Sequence, residues 1–115
     1  TINNWIIMPI HNKLIRDNIP TIIARSGKKC TTRLLDDHEF KTELQKKFSE
    51  ELTEYQNAKD NKSALEELAD LLELIHAASE LHGANFNELE QIRINKAKKN
   101  GAFKEKIFLI EVKDK

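Results

Sequence analysis

The sequence predicts an all-α fold: a helical bundle of three long helices plus a short N-terminal helix, completed by oligomerisation, with an extended C-terminal tail. Three observations carry this expectation. Only three glycines and two prolines interrupt the 115 residues. Apolar residues recur at helical spacing through the middle of the chain, and a capping signal precedes each long periodic stretch. No internal repeat or low-complexity linker divides the chain, so 1–115 reads as a single domain, with 1–11 a candidate extension.

The first element is a short helix over about Ile19 to Arg25, capped by Asp17 or Asn18, accepting Pro20 in its first turn and closed by Gly27. The run KKCTTRLL from Lys28 reads as an extended connection. Asp36 with Glu39 forms a capping-box pattern that opens a helix to about Asn57. Ser63 with Glu66 opens a second to about His82, and Asn85 with Glu88 opens a third to about Lys99. Gly83 and Gly101 end the last two. The tail FKEKIFLIEV is expected to be extended and to pack back on the bundle.

Lysine plus arginine equals aspartate plus glutamate at 19 each, so no net field attracts nucleic acid or an anionic membrane, and neither partner is expected. The single cysteine, Cys30, cannot form an internal disulfide, which favours a reducing compartment. The apolar run in TINNWIIMPI lacks a basic leader and is too short to cross a bilayer, so a cytoplasmic location is the expectation. Trp5 and Met8 read as packing residues, His76 and His82 as ordinary helix-face residues, and Cys30 has no base near it in sequence to make it a nucleophile.

Wound at about 100° per residue, Phe40, Leu44, Phe48, Leu52 and Tyr55 cover an arc of roughly 120° on the first long helix. Glu51 falls inside that stripe, Glu54 lies just outside one edge, and Glu50 is turned most of the way to solvent. In the next helix Leu65, Leu68, Leu72, Ile75 and Ser79 form one face, and Leu71, Leu74, Ala78 and Leu81 widen the apolar arc to roughly 240°. Such a helix needs neighbours on at least two sides. Glu66, Glu73 and Glu80 keep to the polar strip, whereas Glu67 projects between Leu74 and Ala78 and Asp70 sits beside Leu81.

A single Glu-x-x-Glu in an acidic helix is most often a solvated rim. Two acidic pairs on adjacent helices, each with an inward member, read differently. Carboxylates unpaired in an apolar interior cost several kcal/mol or give up their charge, so a compensating cation is implied. Oxygen-only ligands favour Mg²⁺, with Mn²⁺ a substitute, and Mg²⁺ completes its octahedron with water and substrate phosphates. The implied substrate is phosphorylated. On the third long helix Phe86, Leu89, Ile92 and Arg93 share a face and Lys96 falls between Leu89 and Ile92. Such a lysine either snorkels or pairs with a core carboxylate, or, beside a metal, binds a phosphate as a point charge. Arg93, Lys99 and Asn100 flank it; Lys13 and Arg16 either reach substrate phosphates or form a salt-bridge cluster with Asp17.

The pattern Glu51-x-x-Glu54, twelve residues, Glu67-x-x-Asp70 resembles the metal motif of the MazG-like all-α NTP pyrophosphohydrolases. NKLIRDNIP at 12–20, SGKK at 26–29 and KAKKNGAFKEKIFL at 96–109 resemble the flanks of a single-domain, phosphoribosyl-ATP pyrophosphohydrolase-like branch, so the likeness covers nearly the whole chain from Asn12. It departs at Lys99-Asn100-Gly101-Ala102, where that branch often has arginine and a double glycine. The resemblance implies a helical bundle assembled as a dimer or larger oligomer. It also implies Mg²⁺ on Glu51, Glu54, Glu67 and Asp70, and cleavage between the α and β phosphates of a nucleotide to give a monophosphate and pyrophosphate.

The expected activity is therefore Mg²⁺-dependent pyrophosphohydrolysis of a standard or modified nucleoside triphosphate or a phosphoribosyl-ATP-like substrate. Lys96 would neutralise the leaving pyrophosphate, and Glu50 is a candidate helper base despite its outward angle. Lys13, Arg16, Arg93, Lys99 and Asn100 would bind substrate. The rivals are a catalytically silent nucleotide-binding or regulatory module on the same bundle and a purely structural helical dimer. A homodimer or dimer of dimers is expected, because so wide an apolar arc on so small a chain gains from a second copy.

Overall fold

A computed structural model describes residues 10–114, in which all regular structure is helical. The elements are α1 (Ile19–Arg25), α2 (Asp37–Gln56), α3 (Asn61–Leu81) and α4 (Phe86–Asn100). Of the candidate extension at 1–11 only Ile10 and His11 fall within the described residues; Trp5 and Met8 lie outside them.

Local chemistry sets the helix ends. Asp36 caps α2 by accepting the Glu39 N–H at 2.8 Å, while the Glu39 carboxylate turns instead to Arg33, whose guanidinium donates to both its oxygens at 2.8 and 3.3 Å. Asn85 and Glu88 form a complete reciprocal box at the start of α4. The start expected at Ser63 is corrected: Asp60, extended at φ −144°, accepts the Ser63 N–H at 2.8 Å, and α3 begins at Asn61. Ser63 is thus inside the first turn, three residues past a better-placed acceptor. Asn18 stands at the cap position of α1 without a side-chain bond, and the Ile19 N–H donates instead to the Arg16 carbonyl at 3.1 Å.

Two glycines end helices in the same way. Gly27 (φ +84°) and Gly83 (φ +80°) adopt the left-handed conformation. That lets Lys28 N–H reach the Ile23 carbonyl and Ala84 N–H reach the Ser79 carbonyl, the Schellman pattern. At the second stop the buried Ser79 hydroxyl also donates to the Ala84 carbonyl at 2.8 Å, and the His76 ring stacks on Phe86 with centroids 3.8 Å apart, fastening α4 to the end of α3.

The short connection 57–60 folds α3 back along α2, and this hairpin is the main packing unit; α4 touches α3 more sparingly. Among the described residues, buried aliphatic side chains are few: Ile19 and Ile23 of α1 and Leu44 of α2. The chain exposes 10326 Å², against about 6,500 Å² expected of a compact 13.3 kDa monomer. Many large apolar side chains are among the exposed ones. Leu65, Leu68, Leu72 and Ile75, the face read as core from the sequence, stay exposed on α3, Leu65 at 65%.

The tail does not pack back on the bundle as expected. Residues 102–114 hold no helix or strand, and Phe103, Ile107, Phe108 and Ile110 are exposed, Phe103 at 98%. Among the described residues this apolar run has no neighbouring strand to accept its backbone groups. No described helix is long and apolar enough to cross a membrane.

Candidate metal centre

Glu51 lies two turns beyond Leu44 on α2, on the stripe that faces α3, and only 4% of it is exposed. Glu67 and Asp70, one turn apart on α3 and half-buried, approach it across the hairpin. One carboxylate oxygen from each of the three lies within 4.8 Å of the others. Glu51 Oε2 and Glu67 Oε2 are buried without any hydrogen-bond partner. Two ionised carboxylates can only accept, so neither can relieve the other. The consequence appears at Glu67. Burial, a hydrogen bond to Glu51 that requires a proton, and the charges of Glu51, Asp70 and Glu54 push its carboxyl up to about 7.

Glu54 stands one turn past Glu51, half-buried, beside a smaller hollow that it shares with Glu67, Asn57, Asp60 and Ser63. It adds charge to the group without joining the three whose oxygens converge. Three of the four expected ligands are thus together, with the fourth adjacent. Glu66 is exposed and only borders the opening, as the helical turn predicts.

Cations line the same edge. Arg16 donates to Asp70 Oδ1 at 2.6 Å. Lys13 stands 3.5 Å from Glu50, and Lys47, 15% exposed at its side chain, stands 3.4 Å from Glu50 and 3.9 Å from Glu51. Glu50 is therefore not turned to solvent as its helical angle suggests; it is half-buried, because the segment carrying Lys13 lies over that side of α2. Burial alone would raise its carboxyl, but nearby positive charge, Lys47 and Lys13 included, holds it below the ordinary value. A carboxylate so held is a weak base. Asp17, exposed, takes no part in an ion pair with Lys13 or Arg16, each of which reaches a helix carboxylate instead.

These groups open onto a cleft of about 1770 Å³ between the segment 10–16, the connection 28–35 and the α2–α3 hairpin. Lys28, Lys29 and Arg33 also line it. Lys96, Arg93, Lys99 and Asn100 do not line it: α4 contributes nothing to the cleft, all four are exposed, and Arg93 is engaged by Glu90 one turn earlier. The physical reason is positional, since α4 follows α3 and among the helices touches α3 alone. Lys47 is the residue that reading the sequence missed. Its spacing of three and four from Glu50 and Glu51 is the signal that could have found it. No family model, curated protein or solved structure matches this chain.

Proposed function

We propose that the chain is a Mg²⁺-dependent nucleotide pyrophosphohydrolase that cleaves between the α and β phosphates of a nucleoside triphosphate or phosphoribosyl-ATP-like substrate. The observation that carries the reading is the buried Glu51 oxygen, which has no donor and sits against Glu67 and Asp70. A donor set of carboxylate oxygens alone, two of them orphaned, fits a hard divalent cation. The order of the four acids, which resembles that of the MazG-like superfamily, supports the same assignment.

Glu51, Glu67 and Asp70 would hold the ion, with Glu54 adding negative charge beside them. A bound divalent cation supplies neutralisation and polarisation of the phosphates. The remaining work falls to the chain. Lys47 and Lys13, on the same edge as the carboxylates, face an incoming phosphate with positive charge, and Arg16 offers a planar donor pair suited to phosphate oxygens. Glu50, held ionised by nearby positive charge that includes Lys47 and Lys13, accepts a hydrogen bond from the attacking water and orients it. In a single chain the leaving pyrophosphate meets these cations, not Lys96.

A panel of standard and modified nucleoside triphosphates, deoxynucleotides and phosphoribosyl-ATP, assayed for pyrophosphate release with Mg²⁺ or Mn²⁺, tests the proposal. Release supports it. Metal-dependent nucleotide binding without release points to a silent regulatory module, and neither binding nor release points to a structural helical protein.

A further inference from the structure

Arg16 opens the turn that leads into α1. Its carbonyl accepts the Ile19 N–H at 3.1 Å and Ile19 is buried, so its backbone is held against the domain. The side chain is freer: the guanidinium is half-exposed and leans across to Asp70 Oδ1, fifty-four positions along the chain, at 2.6 Å. Asp70 is also one of the three carboxylates whose oxygens converge, while Glu51 Oε2 and Glu67 Oε2 stay buried without a donor. Of the three acids, Asp70 alone is hydrogen-bonded to a cation among the described residues.

We propose that Arg16 couples the divalent cation to a diphosphate group: it covers Asp70 until a cation carrying a diphosphate arrives, then yields Asp70 to the cation and takes a phosphate oxygen. This rests on the metal-centre reading above. Asp70 cannot serve a guanidinium and a divalent ion at full strength, because like charges brought to one carboxylate repel. An anion lying between them removes the conflict, and a phosphate accepts the guanidinium's two parallel N–H groups. A bare cation therefore binds against Arg16, whereas a cation–diphosphate complex binds with it, and the coupling is reciprocal. Lys13, on the same segment, does not share the role, since it reaches Glu50 on α2 at 3.5 Å and does not contact a converging acid.

The experiment compares two dissociation constants on the full chain at fixed ionic strength. One is for Mn²⁺ alone, read from the paramagnetic resonance of the free ion; the other is for preformed Mn²⁺–pyrophosphate, read by calorimetry. No turnover is involved. Wild type should bind the complex at least tenfold more tightly than the bare ion. In Arg16→Gln the bare ion should bind about fivefold more tightly and the complex more weakly, so that the ratio falls towards one. Arg25→Gln, an equal loss of charge on the exposed end of α1, should leave both constants unchanged. Arg16→Lys should keep bare Mn²⁺ binding weak but lose at least threefold of the advantage of the complex, since a point charge cannot pair bidentately. If Arg16→Gln does not fold, that second variant decides on the same two constants. A wild-type ratio in either variant, or weaker binding of bare Mn²⁺ by Arg16→Gln, overturns the coupling role. If wild type binds Mn²⁺ in neither form, the metal-centre reading itself fails.

Discussion

Replacing Glu67 by Gln keeps size and helix propensity while deleting the charge that the hairpin accommodates worst. In the folded chain the Glu67 carboxyl is raised from 4.5 to about 7, first by burial, then by its hydrogen bond to Glu51 and the charges of Glu51, Asp70 and Glu54. The folded state therefore keeps a proton that the unfolded chain releases near 4.5. Between those values the native state binds more protons, so the free energy of unfolding falls as pH rises and the loss is complete above about 7. A shift of that size corresponds to at most about 3.4 kcal/mol. Glu67 borders the open cleft, so water screens part of it, and about 1–2 kcal/mol is the expected value. In EDTA, Glu67→Gln should match wild type near pH 4 and exceed it by that amount at pH 8, a rise in Tm of roughly 3–10 °C. Urea denaturation at fixed protein concentration across pH 4 to 8 reads the difference. Glu66→Gln, adjacent but exposed, should stay within about 0.5 kcal/mol of wild type throughout. A Glu67→Gln protein that is less stable at pH 8, or whose gain does not change with pH, would show that the carboxylates do not crowd as described.

The same pair of variants separates metal binding from folding: millimolar Mg²⁺ should raise the Tm of wild type and Glu66→Gln above an ionic-strength control and leave Glu67→Gln almost unmoved. Mg²⁺-dependent pyrophosphate release should be lost in Glu67→Gln and retained in Glu66→Gln. Light scattering at micromolar concentration should give a dimer or tetramer mass for wild type, and Leu68→Glu with Leu72→Glu, on the uncovered face of α3, should lower it to a monomer; a monomeric wild type refutes this. Ser79→Ala should cost about 1 kcal/mol in urea, because the hydroxyl bond to the Ala84 carbonyl fixes the α3–α4 turn; an unchanged midpoint would mean that the Schellman backbone bonds suffice.

What was legible in the sequence was local. The caps at Asp36 and Asn85 and the glycine stops at Gly27 and Gly83 depend on neighbours within a few residues, and all are found where the residue types put them. The inward turn of Glu51 and Glu67 also needs only the helical repeat and a direction for the core. The outward direction expected of Glu50 was not met because a helical wheel contains one helix, and the segment that covers Glu50 comes from thirty-seven positions earlier, at Lys13. Lys96 stands apart from the cleft for a related reason. Its angle on α4 points to an apolar face, but Ile92 on that face is itself 55% exposed, so the face is not a core in one chain. Periodicity shows that a face is apolar; what covers that face is a tertiary property.

The buried acid on α2 also bears on why the fold is thinly packed. A leucine at the position of Glu51 would extend the stripe through Leu44 and add apolar burial, and replacing buried charges by well-packed apolar groups is often neutral or stabilising by about 1–4 kcal/mol. The chain therefore carries a local penalty in the middle of its largest helix pair, although among the described residues only three aliphatic side chains are buried. Lys47 and Arg16 offset part of it from the edges, through Glu51 at 3.9 Å and Asp70 at 2.6 Å, without reaching the orphaned oxygens of Glu51 and Glu67. A cation held between the helices would satisfy those oxygens and tie α2 to α3 at once. Stability and ligand occupancy would then be coupled in this hairpin, and the folded population should rise with divalent cation most steeply where the carboxylates are fully ionised, above pH 7.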